Sequence, residues 1–244
     1  MLRTTFTKII QQKNPNFELD PAVGSEVLMG LAFQKICSQI RGLRRLFSGN
    51  YHLTQFMGKN VTLFNASNIR MGKWVQIEND CHLSGLGQGG IELGNNVRIG
   101  AFSRLVVGTS FTNLGKYIKI GNNVGIGEFA YLGGGGGLEI GDDCIIGQYL
   151  SCHPENHNFN NPKVLIRLQG VTRKGIKIGK NCWIGAKVTI LDGVEIGNNC
   201  VIAAGAVVRS SMPSHTVIGG VPARILKCIK HEQPVEIKVN FSEN

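Results

Sequence analysis

The sequence lacks the features that mark several common protein classes. It contains no apolar run of about 18 residues, which a membrane-spanning helix would need, and no recognisable secretory leader. None of its seven cysteines is spaced as CxxC or CxxxC, the pattern of zinc-binding segments. We therefore expect a cytoplasmic protein in a reducing compartment, with neither a disulfide framework nor a bound metal.

Acidic residues are also scarce: 16 Asp and Glu are set against 26 Lys and Arg, for a net charge of +10. The imbalance is concentrated between residues 163 and 230, where eleven cations minus two acids leave a local charge of +9. Such a segment predicts an anionic partner. Because it has few aromatic residues for base stacking and no nucleic-acid reading motif, we expect a phosphorylated cofactor and no nucleic acid.

Glycine, by contrast, is abundant at 33 residues, and most of it follows a repeat. Residues 178–213 divide into six consecutive hexads that each open with an aliphatic residue, usually followed by Gly, and carry a small or medium apolar residue at the fifth position. A six-residue period fits neither the face of a helix nor a hairpin meander. It predicts a solenoid of short strands.

Three hexads would form one triangular coil, with one short strand and one corner per hexad. The first and fifth residues of each hexad would point inward, and coils would stack at about 4.8 Å. Gly and Asn near the corners fit because both tolerate backbone conformations that branched residues resist. Cys144, Cys182 and Cys200 occupy the fifth position, so we expect them to be small buried residues.

The hexads and the closing segment Ile218-Gly-Gly-Val-Pro-Ala-Arg-Ile225 resemble those of the hexapeptide-repeat acyltransferases. The resemblance implies an all-β fold, a left-handed parallel β-helix, and a homotrimer with active sites between subunits. It also implies acetyl-CoA as co-substrate and transfer of the acetyl group to a saccharide hydroxyl. Such transfer occurs in the assembly of capsule, O-antigen or exopolysaccharide.

We divide the chain into an N-terminal arm and helix (1–56), the hexapeptide-repeat β-helix (57–213) and a closing segment with a tail (214–244). Residues 1–20 are expected to form a loose arm, and residues 21–47 an amphipathic helix with Pro21 at its first position. Arg41, Arg44 and Arg45 near its end either complement the helix dipole or bring the helix to anionic lipid at the inner face of the membrane. Beyond Pro213 we expect a short helix over 224–231 and an edge strand over 235–239.

The longest break in the hexads lies at about 152–175 and contains His153 and His157. A polar excursion of this length from a regular scaffold predicts a protruding functional loop. Histidine is the side chain most easily used as a general base near neutral pH. The loop therefore predicts a base beside a basic groove.

The resemblance assigns roles to individual residues. His157, in the pair Asn156-His157, matches the catalytic base, and His153 is its rival. The backbone N–H of Ala186 matches the donor to the carbonyl oxygen of the transferred group, and Trp183 would contact the pantetheine arm, the sugar or a neighbouring subunit. The cofactor groove would also include Ala204, Gly205, Pro222, Arg224 and Lys227.

Other interpretations stay open. His82, His153 and His157 could contribute to a metal site of the kind that γ-class carbonic anhydrases share across a trimer interface. A β-helix of this type could also be a scaffold without activity. Cys152 could act as an acyl-carrying nucleophile, although nothing visible in the sequence would lower its pKa.

Overall fold

A computed structural model describes residues 2–11, 17–43 and 54–229. Over these ranges the chain forms two α-helices, α1 (Leu2–Gln11) and α2 (Ser25–Gly42), and 24 short strands. No helix in the described ranges is long and apolar enough to cross a bilayer. The strands are β1 (Phe56–Met57), β2 (Thr62–Phe64), β3 (Ile69–Met71), β4 (Gln76–Ile77), β5 (His82–Ser84), β6 (Gly87–Leu93), β7 (Arg98–Ile99), β8 (Arg104–Val106), β9 (Gly115–Ile120), β10 (Gly125–Ile126), β11 (Tyr131–Gly133), β12 (Leu138–Ile140), β13 (Ile145–Ile146), β14 (Ser151–His153), β15 (Asn156–His157), β16 (Val171–Thr172), β17 (Ile176–Ile178), β18 (Trp183–Ile184), β19 (Thr189–Leu191), β20 (Glu195–Ile196), β21 (Val201–Ile202), β22 (Val207–Val208), β23 (Thr216–Gly220) and β24 (Ala223–Cys228).

The strands form the three walls of a parallel, left-handed β-helix, as the resemblance implies. The first sheet has the order β1-β4-β7-β10-β13-β18-β21-β23-β24, the second β2-β5-β8-β11-β14-β19-β22, and the third β3-β6-β9-β12-β17-β20. Consecutive strands of one sheet come from consecutive coils, so residues far apart in the sequence lie one strand spacing apart. Only β24 within these sheets runs antiparallel to its neighbour, β23, in the described part of the chain.

The interior is a set of aliphatic columns. In the last coils, the first and fifth residues of every hexad are buried, from Ile178 and Cys182 to Val208 and Met212. In the first sheet, Ile184 pairs with Ile146 below it and Ile202 above it. The predicted inward positions are thus confirmed, and stacking coils bury rows that no single coil could cover.

Asparagine and aspartate support the corner between the third and first sheets. Asn96, Asn123 and Asp143 all have φ between 55° and 60°, the left-handed conformation that these short polar residues accept readily. Their side chains form a ladder: Asn96 Nδ2 donates to Asn123 Oδ1 at 3.1 Å, and Asn123 Nδ2 donates to Asp143 Oδ1 at 2.9 Å. The Asn and Asp residues at the predicted corners therefore both adopt the turn conformation and supply the hydrogen bonds between neighbouring coils.

The outer face of the third sheet carries charges of alternating sign, a feature that we did not predict. Successive coils place Arg70, Glu92, Lys119, Glu139, Lys177 and Glu195 in register. Lys177 Nζ lies 3.1 Å from Glu195 Oε1. The signal was present in the sequence, because each of these residues stands between two inward-facing aliphatic residues.

The two ends of the chain correct three expectations. Residues 2–11 form α1 rather than a loose arm, and α2 begins at Ser25 after a turn in which Asp20 Oδ1 accepts the N–H of Ala22 at 2.8 Å. Residues 223–228 form β24 rather than a helix, because pairing with β23 satisfies their backbone. Arg44, Arg45 and the strand predicted at 235–239 lie outside the described residues.

Helix α2 lies against the first coil and presents an apolar stripe to the outside. Arg41 Nε donates to the Met57 carbonyl at 2.9 Å, and Lys35 Nζ donates to Gln76 Oε1. The exposed residues of the stripe are spaced by four and three: Met29, Phe33, Ile36, Ile40 and Leu43. The predicted membrane contact of this helix stays a prediction, and this stripe is the surface it would use.

Candidate functional site

The predicted loop is a hairpin that leaves the β-helix after β14. Strands β15 and β16 pair in antiparallel fashion, with His157 opposite Val171 and Asn156 opposite Thr172. Asn158 closes the pair, since its Oδ1 accepts the Thr172 hydroxyl at 2.7 Å. His157 is exposed, and its ring has no hydrogen-bond partner among the described residues. A general base needs such an open nitrogen.

Asp192 fixes the base of the hairpin. Its Oδ1 accepts the backbone N–H groups of Lys174 at 2.9 Å and Gly175 at 2.8 Å. Gly175 has φ of 100°, which a residue with a β-carbon rarely adopts. We did not predict this role for Asp192; the clue was that Asp192 is one of only two acids in the basic segment at 163–230.

Arg173 ties the hairpin to the loop at 107–114. Its Nε donates to Glu155 Oε2 at 2.8 Å, and its Nη1 donates to Asn113 Oδ1 and the Leu114 carbonyl, both at 2.9 Å. Only 17% of the Arg173 side chain is exposed. Two insertions that are far apart in sequence thus form one surface.

His153 is held more closely than His157. Its Nε2 lies 2.7 Å from Ser151 Oγ, and its ring stacks on Tyr131 with 5.4 Å between centroids. One nitrogen is therefore held and the other is left for a ligand, an arrangement that suits a positioned base. This contact supports keeping His153 as the rival of His157.

Ala186 and Ala204 lie at the same corner on adjacent coils, between the first and second sheets. Gly205 N donates to the Ala186 carbonyl at 2.9 Å, whereas the Ala186 N–H donates to no oxygen among the described residues. A β-carbon on Gly147 would lie 2.7 Å from Ala186 N, and one on Gly205 would meet nothing within 4 Å. The corner therefore has a backbone N–H without a partner among the described residues, and Ala186, Ala204 and Gly205 present nothing larger than a methyl group there.

Trp183 lies beside this corner on the outer face of the first sheet and is 59% exposed, as its sixth hexad position predicts. Register places Trp183, Val201, Val217 and Lys227 on successive strands. Lys227, Arg224 and Pro222 are all exposed at the closing turn. The predicted cofactor residues thus share one edge of the last coils.

Part of the basic segment is neutralised within the chain. Arg173, Lys177 and Lys180 form ion pairs with Glu155, Glu195 and Asp142 respectively. In the described residues neither Arg224 nor Lys227 has an acidic partner. Arg224 and Lys227 are therefore among the cations of the segment that remain available to an anion.

The loop histidines and the corner at Ala186 lie at opposite ends of the second sheet. His153 is in register with Leu191, at the end of β19, whereas Ala186 precedes the start of that strand. A strand of three residues spans about 10 Å. Within one chain, His153 and the corner at Ala186 are therefore separated by about the length of that strand.

Two other candidate chemistries fit the described structure poorly. His82 and His153 stand three coils apart in the second sheet, about 14 Å at the usual strand spacing. No group of three His, Cys, Asp or Glu side chains in the described ranges could hold a metal ion. Cys152 is buried, and burial raises the pKa of its thiol to about 12, which disfavours the thiolate that a nucleophile requires.

The repeat region of the chain also matches a known protein family. Residues 175–210 match the family model described as bacterial transferase hexapeptide (six repeats). Residues 175–210 therefore carry the hexapeptide repeat of this model. The resemblance drawn from the hexads is thereby confirmed, and the match covers the same coils that carry Trp183, Ala186 and Ala204.

The hexapeptide-repeat chain is also similar to named proteins. It is 27% identical over 177 residues to the probable acetyltransferase Rv3034c of Mycobacterium tuberculosis, covering 72% of this chain and 55% of that protein. It is 32% identical over 100 residues to WbbJ of Escherichia coli, a putative lipopolysaccharide biosynthesis O-acetyl transferase, covering 38% and 51%. The chain thus spans about half the length of these curated relatives.

Among solved structures, the hexapeptide-repeat chain is similar to a mutant of AntD, an N-acyltransferase from Bacillus cereus in complex with dTDP-4-amino-4,6-dideoxyglucose and coenzyme A. The two share 22% identity with a TM-score of 0.50, covering 77% of this chain and 89% of AntD. At this identity the comparison supports the fold.

Proposed function

We propose that this protein is an acetyl-CoA-dependent O-acetyltransferase that acts on a saccharide used in capsule, O-antigen or exopolysaccharide assembly. The observation that carries the proposal is the corner at Ala186, with an N–H that has no partner among the described residues, small neighbours at Ala204 and Gly205, and the exposed Trp183. The names of the relatives support the reaction class, since WbbJ and Rv3034c are both described as acetyltransferases. AntD, a protein of similar fold, was solved with coenzyme A.

The residues at the closing end fit coenzyme A. Ala204 and Gly205 would let an extended thiol arm approach the backbone, and Trp183 offers a ring beside it. Arg224 would make bidentate contacts with a phosphate, and Lys227 would add a point charge. Bound there, acetyl-CoA supplies a thioester, whose carbonyl carbon is the electrophile.

His157 acts as the general base in this proposal. It accepts the proton of the acceptor hydroxyl as that oxygen bonds to the thioester carbonyl carbon, and it returns the proton to the sulfur as the carbon–sulfur bond breaks. The Ala186 N–H donates to the carbonyl oxygen as negative charge develops there. Because the two groups lie at opposite ends of one wall, we propose a homotrimer in which the hairpin of one subunit meets the corner of the next.

The test is thiol release from acetyl-CoA in the presence of a panel of saccharides. His157→Ala should lower turnover by about 10²- to 10⁴-fold, the usual contribution of a general base, while the circular dichroism spectrum stays unchanged. His153→Ala is the matched variant. A larger loss for His153→Ala would transfer the role to His153, and full turnover in both variants would refute acid–base catalysis by this hairpin.

The carbonic anhydrase alternative is separated by metal analysis of the purified protein. A stoichiometric zinc content, with His82→Ala releasing the metal, would overturn the acetyltransferase proposal. A scaffold without activity would show no thiol release with any acceptor and no binding of acetyl-CoA.

A further inference from the structure

A cavity of about 370 Å³ lies on the second sheet, toward the N-terminal end from His153. Its wall includes His82, Arg104 and Tyr131 from the sheet and Phe111 from the loop at 107–114. None of the residues lining this cavity in the described chain is Asp or Glu. Of the candidate residues named from the sequence, only His82 lines it.

Register brings the polar groups of the cavity together. His82 is the Cα partner of Arg104, and Arg104 is the Cα partner of Tyr131. The three side chains therefore stand on successive coils, about 4.8 Å apart at their base. Tyr131 in turn stacks on His153, the last residue of the strand after which the hairpin leaves the β-helix.

Arg104, like Arg224, has no anionic partner among the described residues. Arg70, Arg98 and Arg173 each pair with a glutamate. Within the described ranges, the Arg104 guanidinium has neither an ion pair nor a hydrogen bond. An arginine with an open fork, in a cavity without acids, suits a planar or tetrahedral anion.

His82 adds a second donor beside this arginine. Its Nδ1 lies 2.7 Å from Thr62 Oγ1, so when the hydroxyl donates to Nδ1 the Nε2 atom carries the proton. Burial, followed by the charge of Arg104, lowers the pKa of the His82 imidazole. An anion bound between the two residues would reverse the second effect and raise that pKa.

The cavity also offers aromatic surface next to the proposed transfer site. Phe111 is 77% exposed on the loop that Arg173 ties to the hairpin. Rings beside a cation are typical of sites that hold an apolar face of a sugar together with a charged group. The cavity and the hairpin thus line one continuous surface.

We propose that this cavity binds an acidic group of the acceptor saccharide, a carboxylate or a phosphate, through Arg104 and His82, while a sugar ring lies against Tyr131. The inference rests on the proposed function, because it names the class of acceptor for that reaction: an anionic saccharide. A carboxylate would come from a uronic or nonulosonic acid, and a phosphate from a nucleotide sugar or a lipid-linked sugar.

The test measures binding by calorimetry with three probes: a glucuronate-containing disaccharide, UDP-glucose and neutral cellobiose. The source of the anion is identified by which charged probe binds. Arg104→Gln should weaken that binding by about 10- to 100-fold, since a charge-assisted pair is lost. Arg70→Gln, on the third sheet, is the matched control and should change nothing.

A proton NMR titration of the His82 ring provides a second measurement. The imidazole pKa should rise when the anionic probe binds and should not rise with cellobiose. Unchanged affinity of Arg104→Gln for both charged probes, or equal binding of cellobiose, would overturn the proposal.

The outcome is separable from that of the acetyltransferase proposal. Acetyl transfer to neutral sugars with the same kcat/KM in Arg104→Gln and the unaltered protein would refute the anion site and leave the reaction intact. Binding of an anionic probe that depends on Arg104, without any acetyl transfer, would support the anion site and refute the acetyltransferase proposal.

Discussion

Arg173 donates through Nη1 to the carbonyl oxygen of Leu114 at 2.9 Å, across 59 residues of sequence. The contact joins the hairpin that carries His157 to the loop that carries Phe111. Because the guanidinium also pairs with Glu155 at 2.8 Å, one side chain positions both insertions. The catalytic proposal and the acceptor proposal therefore depend on the same arginine.

Arg173→Met should loosen both insertions without unfolding the β-helix. The variant loses hydrogen bonds to a charged group, each contributing about 1.5–3 kcal/mol, but leaves every coil intact. We expect faster amide exchange at 107–114 and 156–172, and a fall in kcat/KM of about tenfold or more. Mass-spectrometric hydrogen exchange and thiol release measure the two effects.

Lys174→Met is the matched control, because only its backbone N–H takes part in the hairpin base. The Lys174→Met variant should have the same amide hydrogen exchange and the same kcat/KM for thiol release as the unaltered protein. Equal behaviour of the two variants would show that Arg173 does not hold the insertions together.

The interior could be predicted because the hexads encode register directly. Once Ile178 and Cys182 are placed inward, the same spacing places every later coil, and burial confirms it. The alternating charges of the third wall follow from the same register and were overlooked only because the charges were counted by segment. Predictions of this kind depend on local spacing.

The parts that were missed depend on contacts between distant segments. α1 adjoins the start of α2, where Arg3 donates to the carbonyls of Val23 and Asp20, and no pattern in residues 1–20 announced it. β24 carries a short apolar run that fits helix or strand equally well, so pairing with β23 decides it. Asp192 and Arg173 acquire their roles only when the coils bring Gly175 and Leu114 beside them.

Phe129→Ala should destabilise the β-helix about twice as much as Phe102→Ala. Phe129 lies between Phe102 and Tyr149, with 4.9 Å between ring centroids on both sides, whereas Phe102 has one such neighbour. Each stacked pair contributes about 0.5–1.5 kcal/mol. All three residues have φ near 60°, so the two alanine variants differ in the ring contacts they lose and not in the backbone conformation of the replaced residue.

Urea denaturation followed by circular dichroism gives the two differences in unfolding free energy. Phe159→Ala serves as the reference, because Phe159 is exposed on the hairpin and stacks on no ring in the described structure. If Phe102→Ala costs as much as Phe129→Ala, the ladder does not act through pairwise stacking.

Glu139→Lys should destabilise the third wall in a salt-dependent way. Glu139 is the Cα partner of both Lys119 and Lys177, so the variant places three cations in a row. Each directly opposed pair of like charges should lower the free energy of unfolding by about 0.2–1 kcal/mol. Added salt should restore part of the loss. Equal loss at low and high salt would point to packing instead.

Glu139→Gln tests the neighbouring tyrosine. Tyr117 Oη donates to Glu139 Oε1 at 2.6 Å, and this bond, with burial and the carboxylate charge, raises the pKa of Tyr117 to about 12. Removing the charge should lower that pKa toward the usual value of about 10. Ultraviolet titration of the phenolate measures the shift.

Native cysteine labelling should separate exposed thiols from buried ones. Cys228 is exposed, whereas Cys81 and Cys152 are buried, and burial raises the pKa of their thiols to about 11 and about 12. Since only the thiolate reacts, iodoacetamide at pH 8 should modify Cys228 and spare the other two until the protein is unfolded. Rapid native labelling of Cys152 would reopen its proposed role as an acyl carrier.

The exposed stripe of α2 tests the predicted membrane contact. The two cations of α2, Lys35 and Arg41, are bound to Gln76 and to the Met57 carbonyl of the β-helix, so binding of this helix to lipid would depend on the apolar stripe. Phe33 is 69% exposed and Ile40 is 59% exposed. Replacing both with Ser removes much of the apolar area that would enter the interface.

We expect Phe33→Ser combined with Ile40→Ser to lower flotation with phosphatidylglycerol vesicles by about tenfold or more, while Gln34→Ser, one residue away on a polar position, leaves it unchanged. A double variant that floats normally would contradict membrane contact through this helix. Spacing by four and three is also the pattern of a helix–helix seam. A change in sedimentation of the double variant without a change in flotation would therefore assign the stripe to contact between copies of α2, because residues at such a seam are buried against another helix rather than against lipid.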